Sequence, residues 1–208
     1  MSVTETTTIT NETGSIIDVS ERTLYDIDEL KAGDDGIDSS AYDKALSWLY
    51  EIVDYDWWTD VLETLVDEVD AKYGIKFDHK QVSFDLERGS YVCLGKSTNV
   101  NDRVVLKAAG LDLRKRDVRQ VLTDEALVIG ERYGYGNAHG WIGYSMYEGW
   151  PDYVERWVSD AIDKVLEQAQ DHVLDVLRAE WDYLTGEEHL TEMSRINEYT
   201  FTSRGARA

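Results

Sequence analysis

The chain has 208 residues, a length for one domain with a tail, and its 42% hydrophobic and 11% aromatic content is enough to build a core. One cysteine, Cys93, excludes an internal disulfide and a multi-cysteine metal cage, and a single proline excludes Pro-rich and collagen-like classes. Twenty-one basic against 42 acidic residues leave a formal charge of −21, which repels nucleic acid and anionic lipid and attracts basic partners or cations.

No window approaches the run of about 18 apolar residues that a membrane span needs. The first twenty residues (MSVTETTTITNETGSIIDVS) lack a basic region and an apolar core, so they do not read as a secretory signal. The acid is also unevenly spread. Residues 1–78 carry a net −15, residues 79–137 a net +2, and residues 138–208 a net −8. The acidic parts have helical patterns; the nearly neutral middle holds the strand signals.

In chain order, residues 1–22 are rich in Thr, Ser and Glu and read as a mobile tail, with one domain over 23–208. TLYDIDEL (23–30) fits a short strand or a docking segment, and AGDDGIDSS (32–40) a loop. Ser39 or Ser40 can cap a helix over 41–53. A second helix starts at Asp54 or Asp56 and runs to about Tyr73, with Trp57, Trp58, Val61, Leu62, Leu65, Val66 and Val69 on one face and Gly74 as its stop. Alternation over 76–94, broken at 87–90, predicts a β-hairpin. RVVLKAA (103–109) reads as a strand, 113–122 as a short basic helix, 134–140 as a Gly-rich loop and 139–148 as a final strand. Pro151 opens the longest helix, over 151–184, with Gly186 beyond it, and a short helix over 187–197 follows. The predicted fold is α+β: a small antiparallel sheet packed against two or three amphipathic helices, one of about 34 residues.

The candidate partner-binding residues are carboxylates at three-four spacing. Asp60, Glu63, Asp67 and Asp70 form one stripe; Asp160, Asp163, Glu167 and Asp171 begin another, continued by Asp175 and Asp182. From Asp160 to Asp182 a helix rises roughly 33 Å, close to the ~34 Å of one duplex turn. Carboxylates fixed on rigid helices at phosphate-like separations fit a cleft built for DNA or RNA. The plainer reading is a solvated face, yet such faces usually mix signs to gain i,i+4 pairs, and the Asp60 stripe holds no base. Uniform salt adaptation is a further reading, weakened by the net positive middle.

Other constellations are weaker. His79, His139, His172 and His189 have no metal-ligand spacing, Asp34-Asp35-Gly36 lacks the rest of a calcium loop, and Gly134-x-Gly136 lacks a phosphate-loop context. Cys93 reads as a buried thiol. The basic cluster at 114–119 has two readings: a phosphate-binding patch or, as such patches more often are, a partner for the chain's own acidic helices. Segment 133–141, where Gly, His139 and aromatics meet, is the one place for an enzyme site, but nothing there pairs a nucleophile with a base. No catalytic residue, metal or cofactor is assigned.

The blocks TLYDIDEL (23–30), residues 41–48, DYDWW (54–58), YGIKF (73–77), SFDLERGSYVC (83–93) and AEWDYLTGEEHLTEMSRINEYTF (179–201) resemble, in order, a group of small phage and prophage proteins. Some of that group are labelled antitoxin of a toxin–antitoxin stability system. The resemblance implies a phage origin and action in the cytoplasm of an infected bacterium. It supplies no catalytic residues. The expectation is therefore a phage accessory protein, not an enzyme, that inhibits a host or defence-system protein by occupying its basic nucleic-acid-binding surface. It would bind neither nucleic acid nor membrane directly; a homodimer stays open. The alternatives are an antitoxin-like protein that neutralises a toxin through an apolar patch, and an enzyme with its site near 133–141.

Overall fold

The computed structural model describes residues 3–10, 16–33, 36–53, 56–87, 90–95, 99–124, 127–134, 137–144 and 154–208. In chain order the elements are β1 (Val3–Thr10), β2 (Ile16–Leu24), α1 (Ile27–Ala32), α2 (Ala41–Glu51), α3 (Trp58–Tyr73), β3 (Ile75–Lys76), β4 (Ser83–Asp85) and β5 (Tyr91–Cys93). They continue with β6 (Asn99–Val100), α4 (Asp102–Ala108), α5 (Arg116–Asp124), β7 (Leu127–Gly134), β8 (Asn137–Tyr144), α6 (Arg156–Leu184) and α7 (Glu187–Ile196). The fold is α+β, as the pattern predicts. Its strands do not form one sheet: the described strands pair antiparallel in four separate ladders, β1–β2, β3–β6, β4–β5 and β7–β8.

By packing, the chain divides into two compact units, residues 1–55 with 181–208, and residues 56–180, where the sequence suggested one domain from residue 23. In the first unit, the segment expected as a tail carries the β1–β2 ladder, with Val3 opposite Leu24. Its run of threonines and other β-branched residues favours the extended backbone over coil. TLYDIDEL then splits at Asp26, whose carboxylate accepts from the Glu29 N–H at 2.8 Å while the Glu29 carboxylate accepts from the Asp26 N–H at 3.1 Å. That capping box starts α1, and Gly33, at φ 70°, ends it.

Helix α2 buries Ala41, Ala45 and Leu49 at every fourth position. Ser40 stands before it but does not cap it with its side chain; its N–H and hydroxyl both donate to Asp38 instead, at 2.8 and 2.6 Å. The C-terminal segment closes this unit. Phe201 is fully buried among Ile27, Leu30, Leu49 and Leu190, and its N–H and carbonyl pair with those of Tyr25, both at 2.8 Å. Trp48 meets the edges of Tyr199 and Phe201 at 5.3 and 5.9 Å.

The second unit is built on α3 and α6. Leu62, Leu65, Val69 and Tyr73 of α3 and Val158, Ile162, Val165, Leu166, Ala169, Val173 and Leu177 of α6 share one core with Val92, Leu94, Val105, Leu106, Val118 and Val121. Helix α3 begins at Trp58, and Gly74 ends it at φ 72° as the sequence predicts. The expected hairpin is present but short: Phe84 faces Val92 across β4–β5, while Ile75 pairs with Val100 in a different ladder. Cys93 is buried.

Three sequence expectations are corrected here. The segment 103–109 is helix α4 through Ala108 with Ala109 as its C-cap, not a strand: the Asn101 side chain accepts from the Val104 N–H at 3.3 Å, and Val105 and Leu106 turn into the core. The two adjacent valines bias the local reading to β, and tertiary burial overrides it. The long helix α6 has 29 residues and starts at Arg156, after non-helical Val154 and Glu155; Pro151 lies outside the described residues. The final strand, β8, covers 137–144 and pairs with β7, which the sequence reading did not identify; residues 145–148 lie outside the described residues.

Two glycines with left-handed backbone provide a test. Gly205, at φ 78°, sits so close to α2 that an added Cβ would lie 2.1 Å from the Ala41 carbonyl oxygen, whereas Gly110, at φ 70°, has open space. Gly110→Ala should cost about 1–2 kcal/mol for the backbone alone. Gly205→Ala should cost at least ~1 kcal/mol more for the overlap. Equal denaturant midpoints would contradict the packing of the C-terminal segment on α2.

A second test lies in the same unit. The Arg195 guanidinium grips Asp28 with two hydrogen bonds of 2.9 and 2.7 Å and donates to Glu192 at 3.1 Å. The hydrogen bond from Arg195 holds the Asp28 carboxyl below its ordinary range. A carboxyl depressed in the folded state stabilises above its unfolded pKa and loses that contribution as pH falls through the folded value. Asp28→Asn should therefore lower the melting temperature slightly at neutral pH, and the gap should close as pH falls below the ordinary aspartate range. The effect is small because both side chains are about half exposed.

Candidate functional site

Helix α3 forms because its apolar residues recur at three-four spacing, and burying that stripe forces the intervening carboxylates outward. Asp60, Glu63 and Asp67 are exposed and Asp70 is half-buried. From Asp60 to Asp70 the helix rises about 15 Å. The same logic on α6 leaves Asp160, Glu167 and Asp171 exposed. Asp163 departs from the expected rail: it is half-buried, with one carboxylate oxygen closed to solvent.

The rails carry little compensation. Asp160 has Arg156 one turn away at a loose 3.8 Å, and Arg178 stands 3.9 Å from Asp175. Asp60, Glu63, Asp67, Asp70, Glu167 and Asp171 make no ion pair among the described residues. Like charges at three-four spacing repel and cost a few tenths of a kcal/mol per pair.

Helices α3 and α6 meet where the Glu68 carboxylate and His172 Nε2 are 2.9 Å apart, and the His172 ring centre lies 6.0 Å from that of Tyr73. At 3.6 residues per turn, Glu68 lies about 140° round its helix from Glu63, and His172 about 140° round from Glu167. Other rail residues are nearer to the contact, Asp60 about 80° from Glu68 and Asp175 about 60° from His172, so it borders the rails. His172, which the sequence reading put on the surface, is half-buried by this contact.

The basic cluster also behaves differently from expectation. Arg114, Lys115 and Arg116 are exposed at the start of α5, and Lys115 lies over the Trp157 ring at 4.9 Å. No ion pair joins these three to the acidic helices among the described residues. Because 103–109 was read as a strand, the sequence reading missed that Arg103 and Lys107 belong to the helix packed against α5.

A second feature missed in the sequence is a shallow cavity of about 520 Å³ between α2 and the C-terminal segment. Lys44, Arg204, Arg207, Glu51 and Trp48 line it. Arg207 lies over the Tyr199 ring at 4.9 Å and donates to the Thr200 carbonyl at 3.0 Å. Only the contiguous S-R-G-A-R run hinted at it, since Lys44 and Trp48 are distant in sequence.

The enzyme alternative centres on 133–141, where the end of the β7–β8 ladder sets Tyr133 opposite Ala138. The side chains that reading needs lie outside the described residues. Among the described residues, no three His, Cys, Asp or Glu side chains converge as metal ligands, and no helix is long and apolar enough to cross a membrane. Comparison with protein-family models, with curated proteins and with solved structures finds no match to this chain.

Proposed function

We propose that the protein is a protein-binding inhibitor that uses the carboxylate face of α3, with that of α6 as a second contact, to occupy the basic nucleic-acid-binding surface of a partner. The observation that carries this reading is the α3 rail: Asp60, Glu63, Asp67 and Asp70 repeat along one rigid helix without an ion pair among the described residues. Such a row costs helix stability, and a partner's Lys and Arg side chains would turn that cost into attraction. A cleft that holds phosphates already displays cations at suitable separations, and filling it with fixed carboxylates excludes the nucleic acid. The resemblance to phage and prophage proteins supports a host or defence-system protein as the partner, met in the cytoplasm of the infected cell.

The test is capture from bacterial lysate on the immobilised full chain, at low and high salt, with mass spectrometry of the retained proteins. The reading predicts a nucleic-acid-binding protein that elutes as salt rises, and its loss from the variant Asp60→Lys, Glu63→Lys, Asp67→Lys and Asp70→Lys with helical content unchanged. Retention that is insensitive to both salt and this variant contradicts it.

The antitoxin-like alternative has its own support in the first unit, where Tyr50, Ile52, Tyr183 and Ile196 are large exposed apolar side chains, Ile196 at 73%. A partner held there would stay bound at high salt and be released by Tyr183→Ser and Ile196→Ser.

A further inference from the structure

The α4–α5 pair reverses the sign of the chain over a short stretch. Six of the 21 basic residues fall within 103–119, against two acids, Asp112 and Asp117. Arg103, Lys107, Arg114, Lys115, Arg116 and Arg119 are all exposed. With 42 carboxylates in the chain, cations on an ordinary solvated surface have abundant partners. Yet Arg103, Lys107, Arg114 and Arg116 make no ion pair among the described residues. Lys115 rests over the Trp157 ring. Burial of Val118 and Val121 in the core turns Arg116, Arg119 and Gln120, at three-four spacing, to the outside of α5. Like the acidic rails, Arg103, Lys107, Arg114 and Arg116 gather like charges that make no ion pair among the described residues, so these four do not serve local stability.

We propose that the α4–α5 face binds the phosphate backbone of a nucleic acid, with Arg114 and Arg116 as its principal contacts. A guanidinium meets a phosphate with two parallel hydrogen bonds and keeps its charge at every physiological pH, and four of the six cations here are arginines. The −21 total, which on its own predicts no contact with nucleic acid, acts mainly at longer range. At physiological ionic strength, exposed charges farther apart than about 8 Å are largely screened, so the cations of this face dominate at contact distance. The residual repulsion makes the affinity modest, and the salt dependence shallower than the same number of phosphate contacts gives on a basic protein. This inference concerns α4 and α5 and is independent of the acidic faces of α3 and α6.

The experiment is fluorescence anisotropy of a labelled duplex DNA and a labelled single-stranded RNA, each about two helical turns in length, titrated with the full chain at about 0.15 M salt. The expected result is saturable binding to at least one of them, weakened about 10-fold or more by Arg114→Glu with Arg116→Glu, and largely kept by Arg114→Lys with Arg116→Lys. Circular dichroism checks the fold; should the glutamate pair unfold, Arg114→Gln with Arg116→Gln should show the same direction of loss. Absence of saturable binding to both nucleic acids, or equal binding by the wild type and a folded charge-removed variant, overturns the proposal. So does displacement by polyglutamate as effective as by unlabelled nucleic acid, because the face would then be a dock for an acidic protein.

Discussion

The apolar stripe of α6, from Val158 to Leu177, is the interaction on which the second unit depends. It closes one core over α3, α4, α5 and the β4–β5 ladder, and its seven fully or nearly fully buried residues recur at three and four. Burying that stripe fixes the azimuth of every other residue on the helix. The polar side of α6 carries seven carboxylates against three bases, Arg156, Lys164 and Arg178, so the same packing that makes the core also builds a net acidic face. Helix α3 repeats the arrangement on a smaller scale.

Two acids for every base leave the fold little to gain from ion pairs. In the first unit two bases are well used: Arg195 bridges Asp28 and Glu192, and Lys31 donates to Glu187 at 2.6 Å while the Tyr42 hydroxyl donates to the same carboxylate at 2.7 Å. Those contacts hold the Glu187 carboxyl below its usual range and raise the Lys31 ammonium. The second unit does the opposite. The Arg–Asp pairs of α6 are loose, at 3.8 and 3.9 Å, the unit's acids stand in rows on α3 and α6, and its bases gather on α4 and α5. Segregation of sign costs intramolecular pairing and creates two surfaces that a partner of opposite charge can complete.

Much of this was legible because burial periodicity is a local property. The apolar stripe of α3, the Gly74 stop, the 83–93 hairpin and the α7 helix follow from spacing alone. What failed depended on contacts distant in sequence. Nothing near Val104 and Val105 says that they pack as a helix against α3; that comes from Asn101, whose N–H also donates to the Gly74 carbonyl at 2.7 Å. Reading those residues as a strand hid the pairing of Arg103 and Lys107 with the α5 cluster. The inward turn of Asp163 and the Glu68–His172 contact likewise arise only when two helices meet. The division of the chain into two units has no composition break to announce it, because residues 181–208 return to join 1–55.

The central claim is that the α3 carboxylates are held at the expense of stability for the sake of a partner. The direct test is the denaturant midpoint of the full chain carrying Glu63→Gln, Asp67→Asn and Asp70→Asn, against the wild type at low salt. Removing like-charge neighbours, and an acid from the last turn of the helix, should raise stability by up to ~1 kcal/mol, with the gain shrinking as salt is added. A variant less stable than the wild type would show that these carboxylates support the fold, and would contradict the account.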